Sequence, residues 1–341
     1  MEFNRKELKQ VLDMVKPGLG NDEQMEHADM VIFTEKGIAA YNDRVLVHSK
    51  DMTFPFEAGG VDASKLSQWL GKVKEEMVDL EYDNESDTLV ASSGKSHIHL
   101  KIVEPVNYEA LASVLAEVNK PKPIPKGLLD MMDLARVCCS KNKNETALRC
   151  IKVDSDGSVL ASDNFRAIVA ESKQKTGFKS FLIPADNVKQ VVKFEPVKMQ
   201  LLEGWVAFID SADAVYACRV FPANEFPDIS RVIVGESGKE LCLPLHFSDL
   251  IKRAQIFAES EEESDIFVKV DVNPRGIIVS SDCNAGRFEE SIEHIGNEKM
   301  TFSIHPKLLT GIADKTTTCE VGENLIKLKS DNWVCVICLA V

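Results

Sequence analysis

The sequence predicts an α+β protein built as three similar domains, each with two helices packed on antiparallel sheets, and three observations predict it. One element recurs: Val61-Asp62-Ala63-Ser64-Lys65-Leu66, Ile183-Pro184-Ala185-Asp186-Asn187-Val188 and Ile304-His305-Pro306-Lys307-Leu308-Leu309 each run from an extended residue into a short amphipathic helix, at spacings of 122 and 121 residues. A second helical signature recurs in the same register, starting near Arg5, Pro125 and Pro244. After each repeated helix come strand-like runs, such as Met77–Glu81 and His97–Lys101. A repeat of about 120 residues is domain-sized, well beyond the units of solenoids and propellers. The expected domains are 1–121, 122–237 and 238–341.

The first helix spans 5–16, with Leu8, Leu12 and Val15 on one stripe and Pro17-Gly18 as its stop. Four strands are expected around Met30–Phe33, Arg44–His48, Leu89–Ala91 and Ile98–Ile102, with turn chemistry at Asp83-Asn84 and Ser93-Gly94. The helix over 62–76 carries Leu66, Trp69, Leu70 and Val73. Lys120–Pro125 reads as a stiff proline-rich connector and a domain boundary. Helices over 126–144 and 185–193 repeat the plan in the middle domain, which closes after Phe226-Pro227-Asp228. Val234–Gly238 is the second boundary. The last domain has helices over 248–260 and 305–315 and strands at Phe267–Val272, Ile277–Ser280, Asn324–Leu328 and Trp333–Leu339. The acidic stretch Glu259–Asp265 reads as a solvated loop.

With 341 residues and 44% hydrophobic content, the chain can fill three small cores. No run reaches the 18 or so apolar residues of a membrane span, and no signal peptide is visible, so a soluble protein of the cytoplasm is expected. The nine cysteines, odd in number and scattered through apolar runs, suit a reducing compartment. Cys335 and Cys338 have the spacing of a zinc half-site but lie in a strand-like run, where positions three apart face opposite sides.

Net charge is −14, yet the six helix-like segments carry 17 Lys/Arg against 11 Asp/Glu. Positive helices in a negative body suggest one cationic surface; solvated helix faces rich in lysine are the plainer alternative. The chain has no phosphate-binding glycine loop and no nucleophile elbow, and its one close histidine pair, His97 and His99, sits on one face of a strand. No enzyme activity, metal or cofactor is expected.

Val159-Leu-Ala-Ser-Asp-Asn-Phe-Arg-Ala-Ile-Val169 resembles the strand–turn–strand that reads Thr-Asp-Gly-His-Arg-Leu-Ala in bacterial DNA polymerase III beta subunits, the sliding clamps. Phe226-Pro-Asp-Ile-Ser-Arg-Val232 is similar to that family's Phe-Pro-Asp-Tyr-Arg-Arg-Val, and Phe181–Ala185 and the closing strand to Val341 also fit. The resemblance runs through the whole chain. It implies the DNA-clamp fold, with two chains head to tail forming a six-domain ring whose helices line a hole for duplex DNA. It implies a processivity factor that tethers the replicative polymerase, and partners that include the clamp loader and other clamp-motif proteins.

Carried over residue by residue, the resemblance implies a partner-peptide pocket of Leu148, Ser162, Phe165, Arg166, Ala167, Pro227, Arg231, Val232, Cys335, Ile337 and Leu339. Plain core packing is the alternative for most of these. It implies a seam of Ile98 and Leu100 against Ile256 and Phe257 of a second chain, which could equally be core residues of their own domains. The DNA-facing candidates are Lys6, Lys9, Lys16, Lys65, Lys72, Lys74, Arg136, Lys141, Lys143, Lys189, Lys193, Lys252, Arg253, Lys307 and Lys315. Asn164-Phe165 stands where the family has Gly-His, and Cys338-Leu-Ala340 where it has Pro-Met-Arg, which marks a diverged clamp, of bacterial or phage origin, reading a different peptide. Two rivals stay open: a clamp-fold scaffold that binds peptides without encircling DNA, and an enzyme with a site assembled between domains.

Overall fold

The computed structural model describes residues 1–20, 25–34, 36–50, 52–54, 59–104, 108–172, 174–235, 238–258, 266–294 and 296–340. They form two compact units, one of Met1–Ile124 with Lys189–Val220, the other of Pro125–Val188 with Phe221–Val341.

In the first unit an eight-stranded antiparallel sheet runs in the order β5 (Gly59–Asp62), β2 (Met30–Thr34), β3 (Gly37–Tyr41), β4 (Val45–His48), β16 (Val215–Arg219), β15 (Trp205–Ile209), β14 (Lys198–Leu201), β9 (Lys122–Pro123). It therefore joins strands from both sides of the expected boundary at 121. The proline-rich connector supplies the edge strand β9, where a missing N–H is tolerated. Strands β3, β4 and β15 are buried at every position, because helices cover both faces. The helix α1 (Arg5–Val15) packs on β3 and β4, and the turn after it comes so close that a Cβ on Gly18 would lie 2.5 Å from the Ala40 carbonyl oxygen. On the other face α3 (Tyr108–Glu117) seats Leu111 and Val114 against Ile32, Leu46, Trp205 and Ala217. Sequence reading missed α3.

A second sheet of this unit orders β1 (Glu2–Asn4), β6 (Met77–Asp83), β7 (Thr88–Ser93), β8 (Ser96–Lys101), leaving β8 as an edge. The Asn4 side chain caps α1 by accepting from the backbone N–H of Lys6 at 2.9 Å, and Asp62 caps α2 (Ala63–Leu70) by accepting from Lys65 at 2.8 Å. The helix expected to run to 76 stops at Leu70. There the Arg5 guanidinium donates to the Leu70 carbonyl, 3.2 Å, and to that of Glu75, 3.0 Å, closing the C-terminal turn with a cation.

The chain passes between the units within α5 (Ala185–Phe194). The second unit has a nine-stranded sheet ordered β17 (Phe221–Pro222), β13 (Phe181–Pro184), β10 (Cys150–Val153), β11 (Val159–Ser162), β12 (Arg166–Ala170), β25 (Trp333–Cys338), β24 (Leu325–Ser330), β23 (Thr318–Val321), β18 (Lys239–Cys242). Its four-stranded sheet runs β21 (Gly286–Ile292), β20 (Gly276–Cys283), β19 (Val268–Asn273), β22 (Met300–Ile304).

The helices of this unit are shorter than the sequence pattern suggests. The segment 126–144 is helical as α4 (Leu128–Ala135) with a final tight turn to Cys138. The segment 248–260 is α7 (Phe247–Gln255), and the acidic stretch 259–265 falls outside the described residues. The segment 305–315 breaks at Gly311, whose φ of +100° no helix accommodates, into α8 (Pro306–Leu309) and the turn Ala313–Lys315. A short helix, α6 (Ser230–Val234), was not anticipated. Cys335 is fully buried and Cys338 exposed, opposite faces of one strand as their spacing required.

Candidate functional site

The hairpin of β11 and β12 turns at Asp163-Asn164-Phe165. The Asp163 carboxylate accepts from the backbone N–H groups of Phe165, 3.2 Å, and Arg166, 3.0 Å, while Asn164 takes the left-handed conformation at φ 71°. This turn holds the Phe165 ring outward, 57% exposed, and pairs Arg166 with Ile337 and Ala167 with Val336 on β25. The Asp228 side chain accepts from the Ser230 N–H at 2.9 Å and starts α6. That bond holds its carboxyl below the usual carboxylate range. Phe226 and Ile229 are buried beneath the segment, and Val232 stands half-exposed on α6.

These pieces enclose a cavity of about 230 Å³. It gathers Ser162, Phe165, Arg166, Ala167, Pro227, Val232 and Ile337 of the expected pocket, and adds Asn164, Asp228, Ile229, Leu325, Val336 and Cys338. Leu148, Arg231, Cys335 and Leu339 do not line it. Cys335 faces the side of β25 opposite Val336 and Cys338, its Sγ 3.9 Å from Cys138 Sγ; Leu339 is buried; Arg231 extends into solvent.

Arg166 is no free cation. Its Nε donates to Asp163 Oδ2 at 2.9 Å, Nη1 to the Leu308 carbonyl at 2.9 Å, and Nη2 to the Val137 carbonyl. Its side chain is 9% exposed. It braces the hairpin against two other segments, and the cavity beside it has mostly apolar walls, with Ser162, Asn164 and Asp228 as polar points. Burial pushes the Cys338 thiol up, so that side chain adds no charge to the wall. The cavity can take an apolar side chain; among the described residues no three metal-binding groups gather there or anywhere else.

The cationic candidates fall on or just beyond helices, and thirteen are exposed, with Lys9 and Arg136 half-buried. Lys6, Lys9 and Lys65 ride on α1 and α2, which pack side by side, and Lys16, Lys72 and Lys74 follow their C-termini. Lys189 and Lys193 lie on α5, Lys252 and Arg253 on α7, Lys307 on α8 and Lys315 in the turn after it. Arg136 ends α4, with Lys141 and Lys143 in the loop beyond. Nearby carboxylates in sequence pair with Lys16, Lys65, Arg136 and Lys252, and Glu290 of β21 pairs with Arg253. The Arg253 fork grips Glu290 at 2.9 and 2.6 Å and holds that carboxyl below its usual range. Lys6, Lys9, Lys72, Lys74, Lys141, Lys143, Lys189, Lys193 and Lys315 make no ion pair among the described residues.

Of the seam candidates, Ile256 is 68% exposed at the end of α7, and Phe257 stacks on Phe288 of the edge strand β21, ring centroids 6.2 Å apart. Ile98 is half-buried on the edge strand β8, and Leu100 is only 7% exposed, so it packs within its own unit. His97 and His99 share the outward face of β8.

No protein-family model matches the chain, and no curated protein matches it in sequence. Solved structures do. The DNA polymerase sliding clamp of Bacillus subtilis is similar with a TM-score of 0.79 at 16% identity, over 100% of this chain and 98% of that one. DNA polymerase III subunit beta of Borrelia burgdorferi, solved with a natural product, gives 0.82 at 10% identity, and the beta subunit of Thermotoga maritima 0.76 at 18%, with the same coverage. The chain has the fold of the bacterial DNA polymerase III beta sliding clamps from end to end.

Proposed function

We propose that the protein is a DNA sliding clamp, a processivity factor of three repeats (1–121, 122–237, 238–341) that closes with a second copy into a ring around duplex DNA. The observation that carries this reading is a whole-length clamp fold whose helices bear unpaired, exposed lysines in a chain of net charge −14. Such lysines attract phosphates without reading bases, which gives weak, salt-sensitive contacts that allow sliding, while the ring's topology does the holding. The negative remainder of the surface repels DNA elsewhere.

The ring seam joins the β8 edge, with Ile98, to the region of Ile256, Phe257 and β21 in the second chain; two edge strands supply unpaired backbone groups for each other. The pocket around Phe165 takes an apolar anchor of the polymerase, the clamp loader or another clamp-binding protein. The protein needs no catalytic group or cofactor of its own, and it works in the cytoplasm; among the described residues no helix is long and apolar enough to cross a membrane.

Native mass by light scattering tests the ring. A species near twice 37.8 kDa that persists on dilution is expected, and Ile98→Lys should raise its dissociation constant at least about tenfold. A monomer at all concentrations would favour the alternative, a peptide-binding scaffold that does not encircle DNA. The burial of Leu100 in its own unit is the observation in favour of that alternative.

A further inference from the structure

A second cavity, about 520 Å³, opens in the first unit between α3 and the end of the long sheet, on the opposite strand ends from Trp205. Its size is that of small-molecule sites. Tyr108, Leu111 and Leu115 of α3 and Ile209 and Val215 of the β15–β16 hairpin give it an apolar floor. Lys36, Lys50 and His48 also line it.

The His48 imidazole is 4% exposed, and its Nδ1 is buried with no hydrogen-bond partner. A buried polar nitrogen without a partner costs stability, and His48 is one of the residues around the cavity. Burial first, then the charges of Lys50 and Lys36, push its pKa down to about 4, so the ring is neutral at physiological pH. Both lysines are exposed and make no ion pair among the described residues. Among the described residues lining the cavity, the one acid, Asp213, lies 3.8 Å from Lys198, which partly offsets its charge.

We propose that this cavity is a binding site for a small amphipathic carboxylate. The apolar body lies on α3 and the β15–β16 hairpin, and the carboxylate is held between Lys36 and Lys50 at the polar side of the cavity, beside His48. A carboxylate pairs with both lysines at once, whereas a cation is repelled by them and an uncharged ligand leaves their field unused. The site is independent of the pocket around Phe165, which belongs to the other unit.

The test is isothermal titration of the full-length protein with 4-phenylbutyrate and with its uncharged amide, 4-phenylbutanamide. The acid is expected to bind at least about tenfold more tightly than the amide. Lys36→Glu with Lys50→Glu, both at exposed positions, should abolish binding of the acid, and Leu115→Trp, which fills the floor, should abolish binding of both. Melting curves check that each variant is folded. Equal affinity for acid and amide, binding that survives the charge reversal, or no heat from the acid up to millimolar concentration would each overturn the proposal.

Discussion

The hairpin turn after β3 in the first unit and the turn after β11 in the second are built on one backbone plan, yet the second borders an open pocket and the first, among the described residues, is filled by side chains. In the first, the Asn42 side chain accepts from the backbone of Arg44 and Val45, and Asp43 has φ 61°. In the second, Asp163 accepts from Phe165 and Arg166, and Asn164 has φ 71°. The Arg219 N–H donates to the Arg44 carbonyl at 2.9 Å just as the Cys338 N–H donates to that of Phe165 at 2.8 Å. By this register Tyr41 corresponds to Ser162, Trp205 to Leu325 and Arg219 to Cys338. The first set fills its space. The Arg219 guanidinium lies 4.3 Å from the Trp205 ring centre and donates to Asp43 at 2.6 Å, and the Tyr41 hydroxyl donates to the same carboxylate at 3.1 Å. The second set is small and leaves about 230 Å³. Side-chain volume on a shared frame decides which copy keeps an open cavity.

Removing the plug should have the largest effect. Trp205, 4% exposed, packs against Tyr41 and beneath α3, so Trp205→Ala should cost about 3–5 kcal/mol in denaturant unfolding. An unchanged midpoint would mean that the first unit does not depend on the fill. Importing the plug is the reciprocal change. Leu325→Trp with Cys338→Arg should weaken a clamp-binding peptide by about 30-fold, measured by fluorescence anisotropy, with unfolding little altered; undiminished binding would move the peptide site away from Phe165.

A smaller effect is expected from Asp43. The hydrogen bond from Arg219 holds its carboxyl below the usual carboxylate range. A folded-state pKa below the unfolded one stabilises at neutral pH, and that contribution is lost as pH falls through the folded value. Because the Asp43 side chain is 62% exposed, Asp43→Asn should remove only about 0.5 kcal/mol at pH 7 and nothing once the pH is below the folded value. The smallest change is kinetic. Cys338 should react with iodoacetamide well before buried Cys335, whose thiol is pushed up, and a bound peptide should slow Cys338 alone.

The helical stripes at Leu8, Leu12 and Val15 and at Leu66 and Leu70 were legible because a single apolar face sets them, and Asn4 and Asp62 stand where caps belong. The helix α3 carries its own signal, Leu111, Val114, Leu115 and Val118 at helical spacing, which the neighbouring prolines overshadowed. Its role in covering the second face of a sheet could not be read, since strands buried on both faces show no alternation. The same loss of alternation explains the pocket. Ile337 was found, but β25 is buried on both sides, so nothing in the sequence separated Val336 and Cys338, which line the cavity, from Cys335, which does not. The engagement of Arg166 with Asp163, Val137 and Leu308 depends on residues as far as 142 positions away and left no local trace.

Retention on DNA tests the central claim most directly. The protein is loaded onto a nicked circular duplex, separated by gel filtration, and the circle is then cut once. The account predicts that the protein stays with the circle at moderate salt and runs off the linear product. Equal loss from circle and line, or equal retention on both, would contradict a ring held by topology.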